Sequence, residues 1–263
     1  MEDRKQKEVE YYDKKSKETL EKGFKKKDAG DFEGFNPQDL SSFKLFYELL
    51  KDNCQGKLVL DYGCGNGVHS AYPLRVGAKR VVGIDLSEKS LEIARNRAKK
   101  EGFGDKTDFL KMDCEKMDFP NDYFDLIMDG GTFSSLDLKR VYPELVRVLK
   151  PEGILVGIET FGHNPLSNFK RKLNEVFGKR TSWAAGHIFK EKDLKEADKY
   201  FSETKAYFFH PISFLAFPFL RFPGGKIILR IFELVDRLLL IFSFFRKYSF
   251  KVVFIFKGPK KNA

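Results

Sequence analysis

A chain of 263 residues with 42% hydrophobic and 33% charged side chains can bury a sizeable core and is too apolar to be disordered. A formal net charge of +10 points to polyanionic partners (nucleic acid, an anionic membrane surface, acidic metabolites) or to a lysine-rich solvated surface. Cys54, Cys64 and Cys114 have neither metal-ligand nor disulfide spacing, which excludes a zinc or disulfide scaffold, leaves no metal expected, and suits a reducing cytosol.

Residues 1–27 are highly charged, with Val9, Tyr11, Tyr12 and Leu20 as the main apolar points, and read as a helix with frayed ends. The start, Met1-Glu-Asp-Arg-Lys-Gln-Lys7, lacks the apolar run of a secretory signal. Gly30–Gly34 reads as a linker, which sets a boundary near residue 35 between an N-terminal helical segment (1–35) and one α/β domain (36–263). Asn36-Pro37 is a helix start, and Leu40, Phe43, Phe46, Tyr47 and Leu50 make a core stripe to about Asn53.

The central stretch is Val59-Leu-Asp-Tyr-Gly-Cys-Gly-Asn-Gly67. A short strand runs straight into an acid and three glycines at alternate positions. The dinucleotide fingerprint G-x-G-x-x-G binds a pyrophosphate at a helix N-terminus. Here the order is Asp-x-Gly-x-Gly-x-Gly, and an acid at Asp61 would repel a pyrophosphate but suits a ligand with a cationic amino group. The segment from Val68 can open a helix with its free N–H groups toward the loop. Arg80–Asp85 is the next strand and ends on a second acid, 85 − 61 = 24 residues on, close to the roughly 20 expected before a ribose-binding acid. Ser87 stands as the N-cap of a helix carrying Leu91, Ile93, Ala94 and Ala98.

This unit resembles motif I of the class I S-adenosylmethionine (SAM)-dependent methyltransferases. The resemblance covers about residues 39–160. It extends more loosely to the C-terminus, where the chain is similar to bacterial small-molecule and cell-envelope enzymes of the methyltransferase type 11 group. It implies a Rossmann-like, seven-stranded, mostly parallel sheet with an antiparallel last strand. It also implies SAM as cofactor and S-adenosylhomocysteine as product. Asp85 matches the ribose-binding acid, with Leu86 beside it. Gly63, Cys64 and Gly65 would approach the methionine part through backbone, and Asp61 would orient its ammonium. The N-terminal helix would act as a lid, with Tyr11 and Tyr12 as contact points.

Thr107–Asp113 reads as the third strand, closed by Asp113 and Cys114, which the resemblance places at the adenine ring; a plain turn Asp is the alternative. Tyr123–Asp129 is the fourth strand, with Asp129 and Gly130 as further cofactor candidates. Amino-methylating enzymes acting on bases in nucleic acid carry Asn/Asp-Pro-Pro-aromatic at this point. The chain has Asp129-Gly-Gly-Thr132, which disfavours that chemistry. Many small-molecule relatives place a His pair slightly further on, where Phe133-Ser134-Ser135 stands here.

Leu136–Leu149 is an amphipathic helix stopped by Lys150-Pro-Glu-Gly153, and Ile154–Glu159 is the fifth strand. Asn164 and Pro165 start a helix to about Phe177. That leaves Glu159, at the ligand-binding edge of the sheet, and His163 as candidate catalytic groups, with His187 behind them. His210 reads as the cap of strand six. Residues 203–210 and 250–257 are the expected antiparallel pair.

Between those strands lies an insertion, 211–249, aromatic and proline-broken at first and helical from Lys226 to Phe245. Lys226, Arg230, Glu233 and Arg237 share one helical face amid Ile, Leu, Val and Phe. Charges at 230, 233, 236 and 237 argue against a transmembrane span. An interfacial helix contacting a membrane through 212–246, a pocket cover and a dimer contact are the alternatives. Arg246, Lys247, Lys257, Lys260 and Lys261 would add attraction to anionic lipid.

The expected activity is methyl transfer from SAM (EC 2.1.1.-) to an O, N or C atom of a small-molecule or lipid-linked acceptor, in the cytoplasm or at the inner face of the membrane. An RNA methyltransferase is a competing class; it lacks a recognisable nucleic-acid motif here. A non-catalytic SAM-binding or peripheral membrane protein is another.

Overall fold

β1 (Leu58–Tyr62) is buried from Val59 onward, including its one acid, Asp61. It lies at the centre of a seven-stranded sheet of order β3-β2-β1-β4-β5-β7-β6. The other strands are β2 (Arg80–Asp85), β3 (Thr107–Lys111), β4 (Phe124–Asp129), β5 (Leu149–Thr160), β6 (Phe201–Phe209) and β7 (Lys251–Pro259). β1 to β5 run parallel, and β7 is antiparallel to both its neighbours. This is the expected Rossmann-like methyltransferase architecture. The computed structural model describes residues 2–21, 39–176 and 181–261. The expected linker at Gly30–Gly34, the helix start at Asn36-Pro37 and the helix end at Phe177 lie outside those residues.

The helices are α1 (Asp3–Glu21), α2 (Ser41–Asn53), α3 (Ala71–Arg75), α4 (Glu88–Lys100), α5 (Leu138–Val148), α6 (Pro165–Val176), α7 (Ser182–Gly186), α8 (Glu191–Tyr200), α9 (Gly225–Ile241) and α10 (Ser243–Arg246). Several boundaries differ from the sequence expectation. The helix after the glycine loop starts at Ala71, not Val68, and is only five residues long. α5 begins at Leu138 because Phe133–Ser135 forms a separate 3-10 turn. β5 begins at Leu149, where it pairs with Phe124; pairing resumes at Ile154 with Leu126, so Lys150-Pro-Glu-Gly153 bulges out of the strand. The insertion helix breaks at Phe242.

Successive strand residues feed opposite faces of the sheet, as the pleat requires. Leu60, Leu155, Phe254 and Phe256 pack on one face against Val141 and Leu145 of α5. Val59, Val156, Val253 and Ile255 pack on the other against Phe43, Phe46 and Leu50 of α2. Phe133 is 1% exposed and meets the rings of Tyr62, Tyr142, Phe189 and Phe254. Each such buried ring contributes roughly 1.5–3 kcal/mol. This aromatic wedge fixes the end of β4 where the site lies.

The insertion is tied to α2. The N-cap of α2, Leu40, has no side-chain cap hydrogen bond. Instead the Ser41 N–H donates to the Glu233 carboxylate of α9 at 3.1 Å, which places an anion at a helix N-terminus. His210, buried and at φ 62°, stands just past β6 and is 2.9 Å from Ser42 Oγ and 2.7 Å from Ser213 Oγ. Asp236 accepts from the Ile212 and Ser213 N–H groups at 2.9 and 3.2 Å.

Candidate functional site

The strand order reverses direction between β1 and β4, and loops at that switch point leave a crevice. A cavity of about 440 Å³ occupies it. Of the residues singled out from sequence, Tyr12, Asp61, Gly63, Cys64, Gly65, Asp85, Leu86, Asp113, Cys114 and Gly130 line this cavity.

The glycine loop is shaped by packing as well as by open space. Gly67 has φ 72°, and a Cβ there would stand 2.8 Å from the Ala94 Cβ of α4, so the loop rests directly on that helix. A Cβ on Gly65, at φ 51°, would meet nothing within 4 Å. Side chains rarely adopt such φ values. The Gly65 N–H donates to Asp85 Oδ2 at 2.9 Å and the Ser87 N–H to Oδ1 at 2.8 Å. Burial raises the Asp85 pKa against these hydrogen bonds. Asp61 is 3% exposed, accepts from Ser70 Oγ, and is pushed up to about 7 by burial, with the Ser70 hydrogen bond opposing and the Asp85 charge adding.

α1 lies across the same end of the sheet and packs on α4. Lys5 Nζ is 2.6 Å from Asp113 Oδ2 and 2.8 Å from Glu115 Oε2, and Arg4 also pairs with Glu115. Burial would raise the Glu115 carboxyl, but hydrogen bonds from Arg4, Lys5 and the Asp137 N–H bring it down to about 2. Ser16 Oγ is 2.9 Å from Ser90 Oγ, and Ser87 Oγ donates to Asp13. Tyr12 reaches the cavity from α1; Tyr11 packs edge-on against it and is not part of the lining.

Four candidates are not in the wall. Asp129 is fully buried behind it, where Oδ1 accepts from the Gly131 and Thr132 N–H groups and shapes the turn. Burial, with the neighbouring Glu159 charge adding, drives its pKa well up. Glu159 is 1% exposed and is sealed under the Phe133–Ser135 turn, with Ser134 Oγ donating to it at 3.2 Å. Its pKa is raised by burial, with the Lys251 charge opposing. His163 packs edge-on against Phe161 beyond β5. His187 is exposed, stacked on Trp183 at 3.6 Å. Neither histidine lines the cavity.

Two groups that sequence reasoning passed over do reach it. His69 lies two residues past Gly67, in the loop expected only to open a helix. Its Nδ1 is 2.8 Å from Tyr47 OH, its ring stacks on Phe43 at 5.9 Å, and a Cβ on Gly130 would stand 2.8 Å from its Cδ2. Burial, then the Lys251 and Arg97 charges, lower its pKa to about 4. Burial raises the Tyr47 pKa, so its hydroxyl stays protonated. Lys251 is 4% exposed, lines the cavity, and holds its ammonium 5.5 Å from the Phe43 ring. It arrives there because β7 is antiparallel: its first residue pairs with Thr160, the last of β5.

Residues 60–157 match the family model described as a methyltransferase domain. The chain carries a class I SAM-dependent methyltransferase domain. The chain is 37% identical across 101 residues to sterol 24-C-methyltransferase of Aspergillus fumigatus, covering 38% of this chain and 27% of that protein. It is 32% identical across 101 residues to ribosomal protein L11 methyltransferase of Pasteurella multocida, covering 38% and 33%. The chain thus spans about a third or less of the length of these curated relatives. The geranyl diphosphate C-methyltransferase of Streptomyces coelicolor A3(2), solved with Mg2+, geranyl diphosphate and S-adenosyl-L-homocysteine, shares the fold. It superposes with TM-score 0.59 at 18% identity, covering 82% of this chain and 79% of that one. The acid–glycine loop and Asp85 of the methyltransferase domain share the cavity wall with Phe43, His69, Thr132 and Lys251, of which Phe43 and Lys251 lie outside the matched residues.

Proposed function

We propose that this protein transfers the methyl group of SAM to an oxygen, nitrogen or carbon atom of a small-molecule or lipid-linked acceptor. The observation that carries this reading is the placement of Asp61, the glycine loop and Asp85 in one cavity, which Phe43, His69 and Lys251 also line. The donor set fits the cofactor. Asp85 would hold its ribose hydroxyls, Asp61 its ammonium and the Gly63–Gly65 backbone its methionine chain, and Leu86, Asp113 and Cys114 would meet its adenine. SAM supplies a methyl group on a sulfonium and leaves as neutral S-adenosylhomocysteine. The chain's own work is alignment and exclusion of water, and α1 with Tyr12 serves as the cover. His69 is the candidate proton acceptor for a hydroxyl acceptor, through Nε2, when Tyr47 OH accepts from Nδ1–H. The Lys251 ammonium favours an acceptor with an acidic group, and the Phe43 ring favours an apolar body. The sterol and geranyl diphosphate enzymes among the similar proteins support an apolar acceptor.

Label from methyl-labelled SAM incubated with an extract of the source cells is expected in the organic-soluble fraction. Label confined to macromolecules would replace this reading with RNA or protein methylation. No label in any fraction, with SAM binding established, would replace it with a non-catalytic binder.

Asp61 gives a pH signature of cofactor binding. Its carboxyl, at about 7 in the free protein, is largely protonated at lower pH, whereas a bound ammonium favours the carboxylate. Binding therefore expels a proton below about pH 7 and tightens as pH rises, up to about tenfold per unit, then levels off. In the free protein the sign is opposite: ionising buried Asp61 costs stability as pH climbs from its unfolded range through about 7. Calorimetry in buffers of different ionisation enthalpy reads the proton count directly. No buffer dependence on the acid side would remove Asp61 from the ammonium site.

A further inference from the structure

α9 is apolar on more than its inward face. A helix on the surface of a water-soluble domain turns apolar residues inward and charges outward. α9 buries Leu229 and packs Phe232 on the core, and its two acids point inward as well: Asp236 is 4% exposed and holds the Ile212 and Ser213 amides, and Glu233 holds the Ser41 amide. The outward face carries Ile227, Ile231, Leu234, Leu238 and Ile241, spaced four, three, four and three apart, so they form one stripe along the axis. Their exposures are 64%, 55%, 58%, 65% and 70%, and no described residue covers them. Phe242 and Phe244 continue the apolar surface past the helix end at 64% and 59%.

Cations border this stripe. Lys226, Arg230 and Arg237 recur at four and seven residues along one margin of α9, and Arg246 and Lys247 follow Phe244. An isologous antiparallel pairing of two such stripes would set cation margin against cation margin. A surface that is apolar inside and anionic at its head groups matches both features at once. α9 has 17 residues, and among the described residues no helix is long and apolar enough to cross a membrane.

We propose that α9 and the Phe242–Lys247 segment seat the protein in the plane of an anionic lipid surface, with the stripe in the acyl boundary and the arginines at the head groups. The inference does not depend on the methyl acceptor. It bears on access to the cavity, because Glu233 and Lys226 bond to Ser41 and Asp39 at the start of α2, whose Phe43 lines that cavity.

The test is sedimentation of the full chain with vesicles of phosphatidylcholine alone and of phosphatidylcholine mixed with phosphatidylglycerol. Binding is expected to be about tenfold or more stronger to the anionic vesicles and to weaken with salt. Leu234→Asp with Leu238→Asp is expected to abolish it, and Arg230→Glu with Arg237→Glu to remove the anionic preference. SAM affinity in both variants is expected to equal that of the parent, which shows that each is folded. Equal recovery in the supernatant with and without anionic vesicles would overturn the proposal. So would a dimer in lipid-free solution that the leucine variant converts to monomer, because the stripe would then belong to a second copy of this chain.

Discussion

Asp85→Ala is expected to weaken SAM binding by about a hundredfold or more while leaving the chain folded. A carboxylate holding two ribose hydroxyls makes two charge-assisted hydrogen bonds, each about 1.5–3 kcal/mol. Even the lower figure for both gives about 3 kcal/mol, more than a hundredfold. Asp85 also holds the Gly65 and Ser87 amides, so the alanine variant loosens the loop that meets the methionine chain. Folding stability moves little, because removing a carboxylate whose ionisation is disfavoured by burial offsets the two lost hydrogen bonds. Calorimetric titration with SAM, paired with a thermal melt, separates the two effects. An affinity within a few-fold of the parent would remove Asp85 from the ribose site. A lowered melting temperature without cofactor would show that the acid supports the loop.

His69→Gln is expected to lower kcat by about a hundredfold with SAM affinity unchanged, for an acceptor that must lose a proton. General bases contribute roughly 10²–10⁴-fold. The lower end applies, because a group at about 4 is a weak base near neutral pH. It is nonetheless always in its proton-accepting form there, so the rate should fall only as pH drops through about 4. Tyr47→Phe should give a smaller loss, since the ring stays stacked on Phe43 while the hydroxyl that fixes its tautomer is gone. Single-turnover kinetics with the acceptor fraction that takes up label measures the step itself. A His69→Gln rate within a few-fold of the parent would assign an acceptor, such as a neutral amine, that needs no base.

The half of the site around Asp61 and Asp85 was legible in the sequence because it is local. One strand, one loop and the next strand fix those groups through short-range geometry, and the glycines and acids carry a recognisable order. The other half was not. His69 follows the loop within two residues, yet its role depends on Phe43 and Tyr47, which read only as a core stripe. Lys251 reaches the cavity through the antiparallel register of β7, which no spacing along the chain encodes. Glu159 and His163 stand at the expected edge of the sheet but outside the cavity wall, because tertiary contacts such as the Ser134 hydrogen bond to Glu159 cannot be read along the chain. The polarity of α9 was half visible: its composition was plain, whereas the inward aim of Glu233 and Asp236 depends on which amides needed partners.

Residues 210–250 leave and rejoin the sheet at one place. Phe209 pairs with Lys251, and the Phe250 N–H donates to the Phe209 carbonyl at 3.0 Å. The excursion is therefore closed at its neck, and its length is nearly free, since doubling a loop costs only about 0.6 kcal/mol in closure entropy. Such an element can be exchanged as a cassette. Polar contacts from Glu233, Lys226 and His210 to Ser41, Asp39 and Ser42, with Phe217 and Leu229 in the core cluster of Phe43 and Phe46, join it to α2 beside the cavity wall. Over evolutionary time, the docking address and acceptor preference can drift together through this one segment. The loops on β1 and β2, beside Asp61 and Asp85, are under no obligation to follow.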